Sequence, residues 1–212
     1  MRHKRSGGFL AMASAAFAAF IVLAAPASAQ NRINEMELAV EGPLGDVVLG
    51  AADAPVTIIE YASMTCPHCA NFHNTTFDAL KTEYIDTGKV RFIMREFPLD
   101  PLSAAGFMLA RCAPGENGYY GMVDLLFETQ GEWIVSEPIP PLFALASQSG
   151  FTQESFEACL TNQEILDGVY AVYDRAAQQF AVDVTPTFFI NGVRYTGSRP
   201  IEDMRAIIDP LL

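Results

Sequence analysis

The order of hydrophobic periodicities limits this 212-residue chain more than anything else in it. Val47, Val48 and Leu49 read as a short strand, and Val56 to Tyr61 and Val90 to Phe97 as buried strands. About eighty residues of helical pattern follow, and strand pattern returns at Thr187–Ile190 and Val193–Thr196. Strands on both sides of a helical block need each other to complete one sheet, which makes the block an insertion. An all-α arrangement with stray apolar runs accounts for the same segments less economically. The expected fold class is therefore α/β, with the sheet domain spanning residues 46–212 and helices inserted at about 101–180.

Helical spacing in that block covers Ala104–Cys112, Tyr119–Glu128, Pro141–Ser149, Glu154–Leu160 and Gln163–Phe180, punctuated by Pro, Gly and Asn. A further helix is read from Cys69, Phe72, His73, Phe77, Leu80 and Tyr84, and a last one over Ile201–Leu211. Asn191-Gly192 between two strand runs is a strong hairpin signal. Residues 30–45 are polar, with Gly42, Pro43 and Gly45, and suggest a flexible leader.

The first 29 residues settle how the cysteines are to be read. Arg2, Lys4 and Arg5 precede an apolar run from Phe9 to Leu23, and Ala27-Ser28-Ala29 supplies the small residues of a cleavage site. An export signal cleaved after Ala29 is expected. A retained anchor is the other reading, since Phe9–Ala25 approaches the lower limit of a membrane span. Cleavage leaves 10 Lys and Arg against 25 Asp and Glu, a net charge of about −15. Such acidity argues against nucleic acid as a partner.

Four cysteines in an exported chain ordinarily suggest two structural disulfides. Cys66 and Cys69 are too close to constrain a fold by pairing, which points to reversible redox use instead. Cys112 and Cys159 are the candidates for a staple: they enclose nearly 50 residues, worth about 4 kcal/mol of chain entropy. A second redox-active pair and free buried thiols remain alternatives for them.

Thiol chemistry needs a thiolate, and Cys66 sits where a helix should begin. Unpaired N–H groups and the helix dipole favour negative sulfur there, and His68 adds a donor or a positive charge. Pro67 suits the first turn because it has no N–H to satisfy. Cys69, one turn further in, would resolve mixed disulfides. Glu60 lies in the apolar run Val56–Tyr61; if buried, it favours the neutral acid and can exchange a proton with Cys69, and if on a half-exposed strand it simply faces solvent. Thr185-Pro186 precedes a strand and is read as a cis pair offering the Thr185 backbone to a substrate strand, with an ordinary edge proline as the alternative.

Cys66-Pro67-His68-Cys69, Glu60 upstream, the helical insertion and Thr185-Pro186 together resemble the DsbA family of periplasmic thiol-disulfide oxidoreductases, over about Asp46–Leu212. The resemblance implies a thioredoxin-like fold, with Cys66 as nucleophile, Cys69 as resolving cysteine, Glu60 as buried acid and Pro186 as cis-proline. It also implies oxidation of exported substrate proteins, re-oxidation by a quinone-linked membrane partner, and periplasmic location. No cofactor or metal is expected, and monomer is the default. Thr185 departs from the Val of the best-known members and is also seen in isomerase-type relatives, and many members lack the second cysteine pair. Both bear on redox potential and substrate preference. An isomerase or a reductant of the same fold is the nearest rival.

Two readings from other classes fit these residues less well. A zinc site would draw on Cys66, Cys69, His68 and His73, but a structural site wants four convergent ligands and the other cysteines lie far off. His73 is read as a surface or core histidine. A chaperone or binding module would expose Met64, Phe72, Phe97 and Met108, which more ordinarily form core. Arg111 is read as solvated, and Trp133 as part of a loop without a functional account.

Overall fold

The computed structural model describes Met1 and residues 32–115 and 118–212. Beyond Met1, the expected export signal lies outside the described residues. A five-stranded sheet in the order β1-β3-β2-β4-β5 forms the frame. Its strands are β1 (Val48–Leu49), β2 (Val56–Ala62), β3 (Val90–Glu96), β4 (Thr187–Ile190) and β5 (Val193–Thr196). β2 and β3 run parallel in the middle, and the other pairings are antiparallel. Burial on both faces explains why β2 and β3 carry near-continuous apolar runs.

The pleat sends alternate residues of β2 to two cores. Ile58 and Ala62 join the larger one, with Phe72, Phe92, Phe107 and Phe188. Ile59 and Tyr61 join a smaller one, with Ile93, Phe180 and Phe189. Asn191 (φ 43°) and Gly192 (φ 80°) close the β4–β5 hairpin in the left-handed conformation such a turn requires. The Asn191 Oδ1 also accepts from the Thr57 N–H at 2.8 Å, tying the turn to β2.

After β2, α2 (Pro67–Phe72) continues into a π-helical turn (His73–Phe77), α3 (Asp78–Leu80) and a second π-helical turn (Lys81–Ile85). Sequence periodicity gave this as one regular helix. Between β3 and β4 come α4 (Pro101–Cys112), α5 (Gly118–Glu128), α6 (Gln130–Trp133), α7 (Ile139–Gln148), α8 (Gln153–Leu160) and α9 (Gln163–Gln179), and α10 (Ile201–Ile208) follows β5. Asp100 caps α4, accepting the Ser103 N–H at 2.8 Å ahead of Pro101 at the first helical position. Thr152 and Ser155 form a capping box on α8, and Asn162 caps α9.

Three expectations need correction. Residues 32–45 are not a loose leader: they form α1 (Glu35–Leu38), bury Leu38 and bridge Arg32 to Val193. Arginines far along the chain hold this segment by its carbonyls. Arg95 and Arg175 donate to Val40 O, and Arg111 donates to Leu44 O and Gly45 O. Arg111 is accordingly not a solvated side chain; its Nε also donates to the buried Glu96 at 2.6 Å. Trp133, expected in a loop, ends α6 fully buried, with its Nε1 donating to Leu126 O at 2.8 Å. No helix among the described residues is long and apolar enough to cross a membrane.

Candidate active site

Cys66 is the N-cap of α2 in extended conformation (φ −80°, ψ 120°), with Pro67 at the first helical position. The residue is 5% exposed, and its thiol donates to Thr185 O at 3.4 Å. Pro67 and His68 are exposed, and Cys69 is fully buried. Thr185 and Pro186 join by a cis peptide bond, and the Thr185 hydroxyl is buried without a protein partner.

This setting drives the two thiols apart. Cys66 is lowered from 9.0 to about 5, first by a hydrogen bond from the Cys69 thiol, then by the Thr185 side chain, whose hydroxyl is free to turn to a thiolate, and by the backbone N–H groups of Cys69 and His68, against the opposing effect of burial. Cys69 is pushed well above 9.0, first by burial, then by its hydrogen bond to Cys66 and by the negative charge of Glu60. His68 therefore acts on Cys66 through its backbone; its side chain is turned to the surface.

Glu60 is fully buried on the larger-core side of β2, opposite Met94 and Phe188. Its Oε2 lies 2.9 Å from Nε2 of His73, which is itself 6% exposed. His73 opens the first π-helical turn, and its ring stacks on Phe127 of α5 at 4.5 Å between centroids. Of the two readings of His73, surface or core, the core one holds, and the side chain is paired with the acid beside the redox cysteines. The combination of a buried acid and a π-helical turn was the available signal, but the turn is invisible to a periodicity of 3.6.

The loop before Cys66 is held by the helices that follow β3. Ser103 Oγ accepts the Met64 N–H at 2.9 Å, Thr65 Oγ1 donates to Asp100 Oδ2 at 2.6 Å, and Gln130 Nε2 donates to Met64 O at 2.9 Å and Cys66 O at 3.1 Å. Sequence gave no hint of Gln130. Cys112 and Cys159, 47 positions apart, are disulfide-bonded and join α4 to α8.

An arrangement of one activated and one suppressed thiol, each within reach of the other, can exchange dithiols for disulfides. Comparison with known proteins agrees with that chemistry. A family model described as thioredoxin matches residues 44–210. A Rickettsia bellii (strain RML369-C) protein named for protein-disulfide oxidoreductase activity is 35% identical over 165 residues, taking in 77% of this chain and 63% of its own length. The chain thus spans about three fifths of the length of such curated relatives. Among solved structures, Wolbachia pipientis alpha-DsbA1 superposes with TM-score 0.76 at 32% identity, covering 82% of this chain and 94% of that one. Oxidised BdbD of Bacillus subtilis shares the fold, at TM-score 0.68, 23% identity and coverage of 78% and 92%. The α/β thioredoxin-like layout read from the order of strands and helices is the fold found.

Proposed function

The chain belongs to the thioredoxin-fold family of DsbA type, and from that premise we propose that it is a thiol-disulfide oxidoreductase that introduces disulfides into exported proteins. The observation that carries this reading is the opposite displacement of the two thiols, with Cys66 at about 5 and Cys69 well above 9.0. At pH 7 Cys66 is then mostly thiolate. A stabilised thiolate favours the reduced protein, which makes its disulfide the stronger oxidant.

In this reading a substrate thiolate attacks Cys66 Sγ of the oxidised pair and Cys69 leaves. A second substrate thiol attacks the mixed disulfide, and Cys66 leaves as a thiolate, which its low pKa makes easy. The Cys66–Cys69 disulfide accepts the two electrons that the substrate dithiol gives up, so the exchange itself asks for no cofactor. Glu60 exchanges the Cys69 proton, and the edge at Thr185-Pro186, next to the exposed Val184, receives the substrate strand. The helices of residues 101–180 act as an inserted domain walling the site. Location in the periplasm, monomeric action and re-oxidation by a quinone-linked membrane oxidoreductase complete the proposal.

Equilibration of Cys66-Cys69 against a glutathione buffer, with turnover on a reduced exported protein, tests it. The expectation is an equilibrium far on the side of the protein dithiol, and turnover lost in Cys66→Ser. A disulfide that glutathione hardly reduces would instead mark a reductant, and no turnover on any dithiol would remove the enzymatic reading.

A further inference from the structure

Glu60 is buried with no water-exposed face, so a proton it trades with Cys69 needs a way out. Its Oε1 has no protein partner, and its Oε2 meets Nε2 of His73 at 2.9 Å. The other ring nitrogen of His73, Nδ1, is also buried without a protein partner. The ring forms part of the wall of a cleft of about 210 Å³ whose other lining residues are Asn74, Phe77, Asp78, Asp124 and Glu128. That volume and that lining suit several waters. Asp78 and Glu128 are exposed and Asp124 half-buried, so the cleft joins the surface.

We propose that His73 relays protons between buried Glu60 and this acidic cleft, giving Cys69 a route to solvent on the side away from substrate. The inference rests on the oxidoreductase reading above. In the step that reduces the pair, a substrate thiolate bonds to Cys66 Sγ, the Cys66–Cys69 bond breaks, and its electron pair goes to Cys69 Sγ. Glu60 gives that sulfur the proton of Oε1, Oε2 takes one from Nε2, and Nδ1 takes one from a cleft carboxylic acid or water. In the oxidising step Cys69 bonds to Cys66, the mixed disulfide breaks, and the protons run back. The two halves of the cycle therefore reset the relay, and no net charge enters the core.

The groups around the relay fit this assignment. Glu60 faces His73 from β2, with Cys69 one turn earlier on α2. From α5 come Asp124 and Glu128, and from the helical run beyond α2 come Asp78 and Lys81. Asp124 is raised, first by burial and then by Glu128 and Asp78, with His73 and Lys81 opposing. A carboxyl raised in this way holds its proton to higher pH than a free aspartate and can exchange it with the ring. Stacking on Phe127 and contact with Phe77, at 4.7 Å between centroids, fix the ring between acid and cleft. His73 touches neither sulfur in the exchange; it is a positioning residue that acts through Glu60.

The test is rapid-mixing exchange of the oxidised full chain with reduced glutathione, in His73→Gln and separately in the double variant Asp124→Asn with Glu128→Gln. In His73→Gln, release of Cys69 should slow about 10- to 100-fold and recover with added imidazole, while alkylation of Cys66 in the reduced protein keeps its rate and pH midpoint. The double variant should displace the pH profile of exchange with Cys66 alkylation unmoved. Wild-type exchange in His73→Gln overturns the relay, as does slowing that imidazole leaves untouched. Should His73→Gln not fold, an unaltered pH profile in the double variant overturns it alone. Normal glutathione exchange with no turnover on protein dithiols would count against the oxidoreductase reading and leave the relay standing.

Discussion

Cys66 Sγ lies 3.4 Å from Thr185 O although 119 positions separate the two residues. The contact brings the helix start and the turn into β4 onto one atom. The thiol donates to the Thr185 carbonyl; once deprotonated, the sulfur accepts instead, and the Thr185 hydroxyl, buried without a protein partner, is the donor at hand. Thr185 thus serves both protonation states, the carbonyl one and the hydroxyl the other.

Thr185→Val keeps the shape and the carbonyl and removes the hydroxyl. One hydrogen bond to a charged group is worth about 1.5 kcal/mol, so Cys66 should rise by roughly one pH unit from about 5. The glutathione equilibrium should move toward the protein disulfide by about tenfold. Titration of thiolate absorbance in the reduced protein reads the first effect; an unmoved midpoint would sink the role given to the hydroxyl.

The same displaced thiols predict a redox-dependent pH stability. The folded value of Cys66 lies below its ordinary 9.0, so its contribution is fully present above about 9 and is lost as pH falls through about 5. Cys69 is raised, so its contribution is present below 9.0 and lost only as pH climbs above that value. Between pH 5 and 9 only the contribution of Cys66 changes with pH, and in the disulfide neither thiol titrates. The reduced protein should therefore gain on the oxidised one as pH rises through this window. Paired thermal melts of both forms across the window check it, and a constant gap between them would contradict it.

What sequence shows of the site is what short spacing carries. Cys66, Cys69, Glu60 and Thr185-Pro186 stand in local patterns, and the fold brings them to one end of the central strands. His73 was hidden because its role depends on a π-helical turn and on a partner 13 positions upstream. Gln130 was hidden because an exposed-looking amide in a short segment gives no sign of carbonyls 64 and 66 positions away. The segment before β1 looked loose for a related reason: its polar backbone is satisfied by Arg95, Arg111 and Arg175, which only the folded chain brings near. Strand and helix order survive because burial imposes period; long-range hydrogen bonds leave no period to read.

The Cys112–Cys159 bridge closes a loop of 47 positions between α4 and α8. Joint replacement by Ala should cost up to about 4 kcal/mol of stability through the freed unfolded chain. Neither sulfur takes part in the hydrogen bonds around Cys66, so the glutathione equilibrium of Cys66-Cys69 should stay within about twofold, a difference of ~0.4 kcal/mol. Denaturant unfolding beside that equilibrium separates the two effects, and a displaced equilibrium at full stability would make the second pair a regulator instead of a staple.

Gln130 tests whether the inserted helices do more than cover the sheet. Both N–H bonds of its amide are spent on the loop that presents the nucleophile, one on Met64 O and one on Cys66 O. Cys66 O also accepts the Ala70 N–H at 3.1 Å, so it keeps one partner when the amide is lost, whereas Met64 sits fully buried. Gln130→Leu keeps the volume and removes both donors, which should cost about 1–3 kcal/mol for the unsatisfied carbonyl. Because the amide touches the backbone and neither sulfur, the Cys66 midpoint should stay near 5 while amide exchange quickens at residues 63–66. Hydrogen-exchange mass spectrometry of the reduced form makes the comparison. Unchanged protection there would mean that Ser103 and Asp100 alone hold the loop, through Met64 N and Thr65 Oγ1, and that α6 only packs beside it.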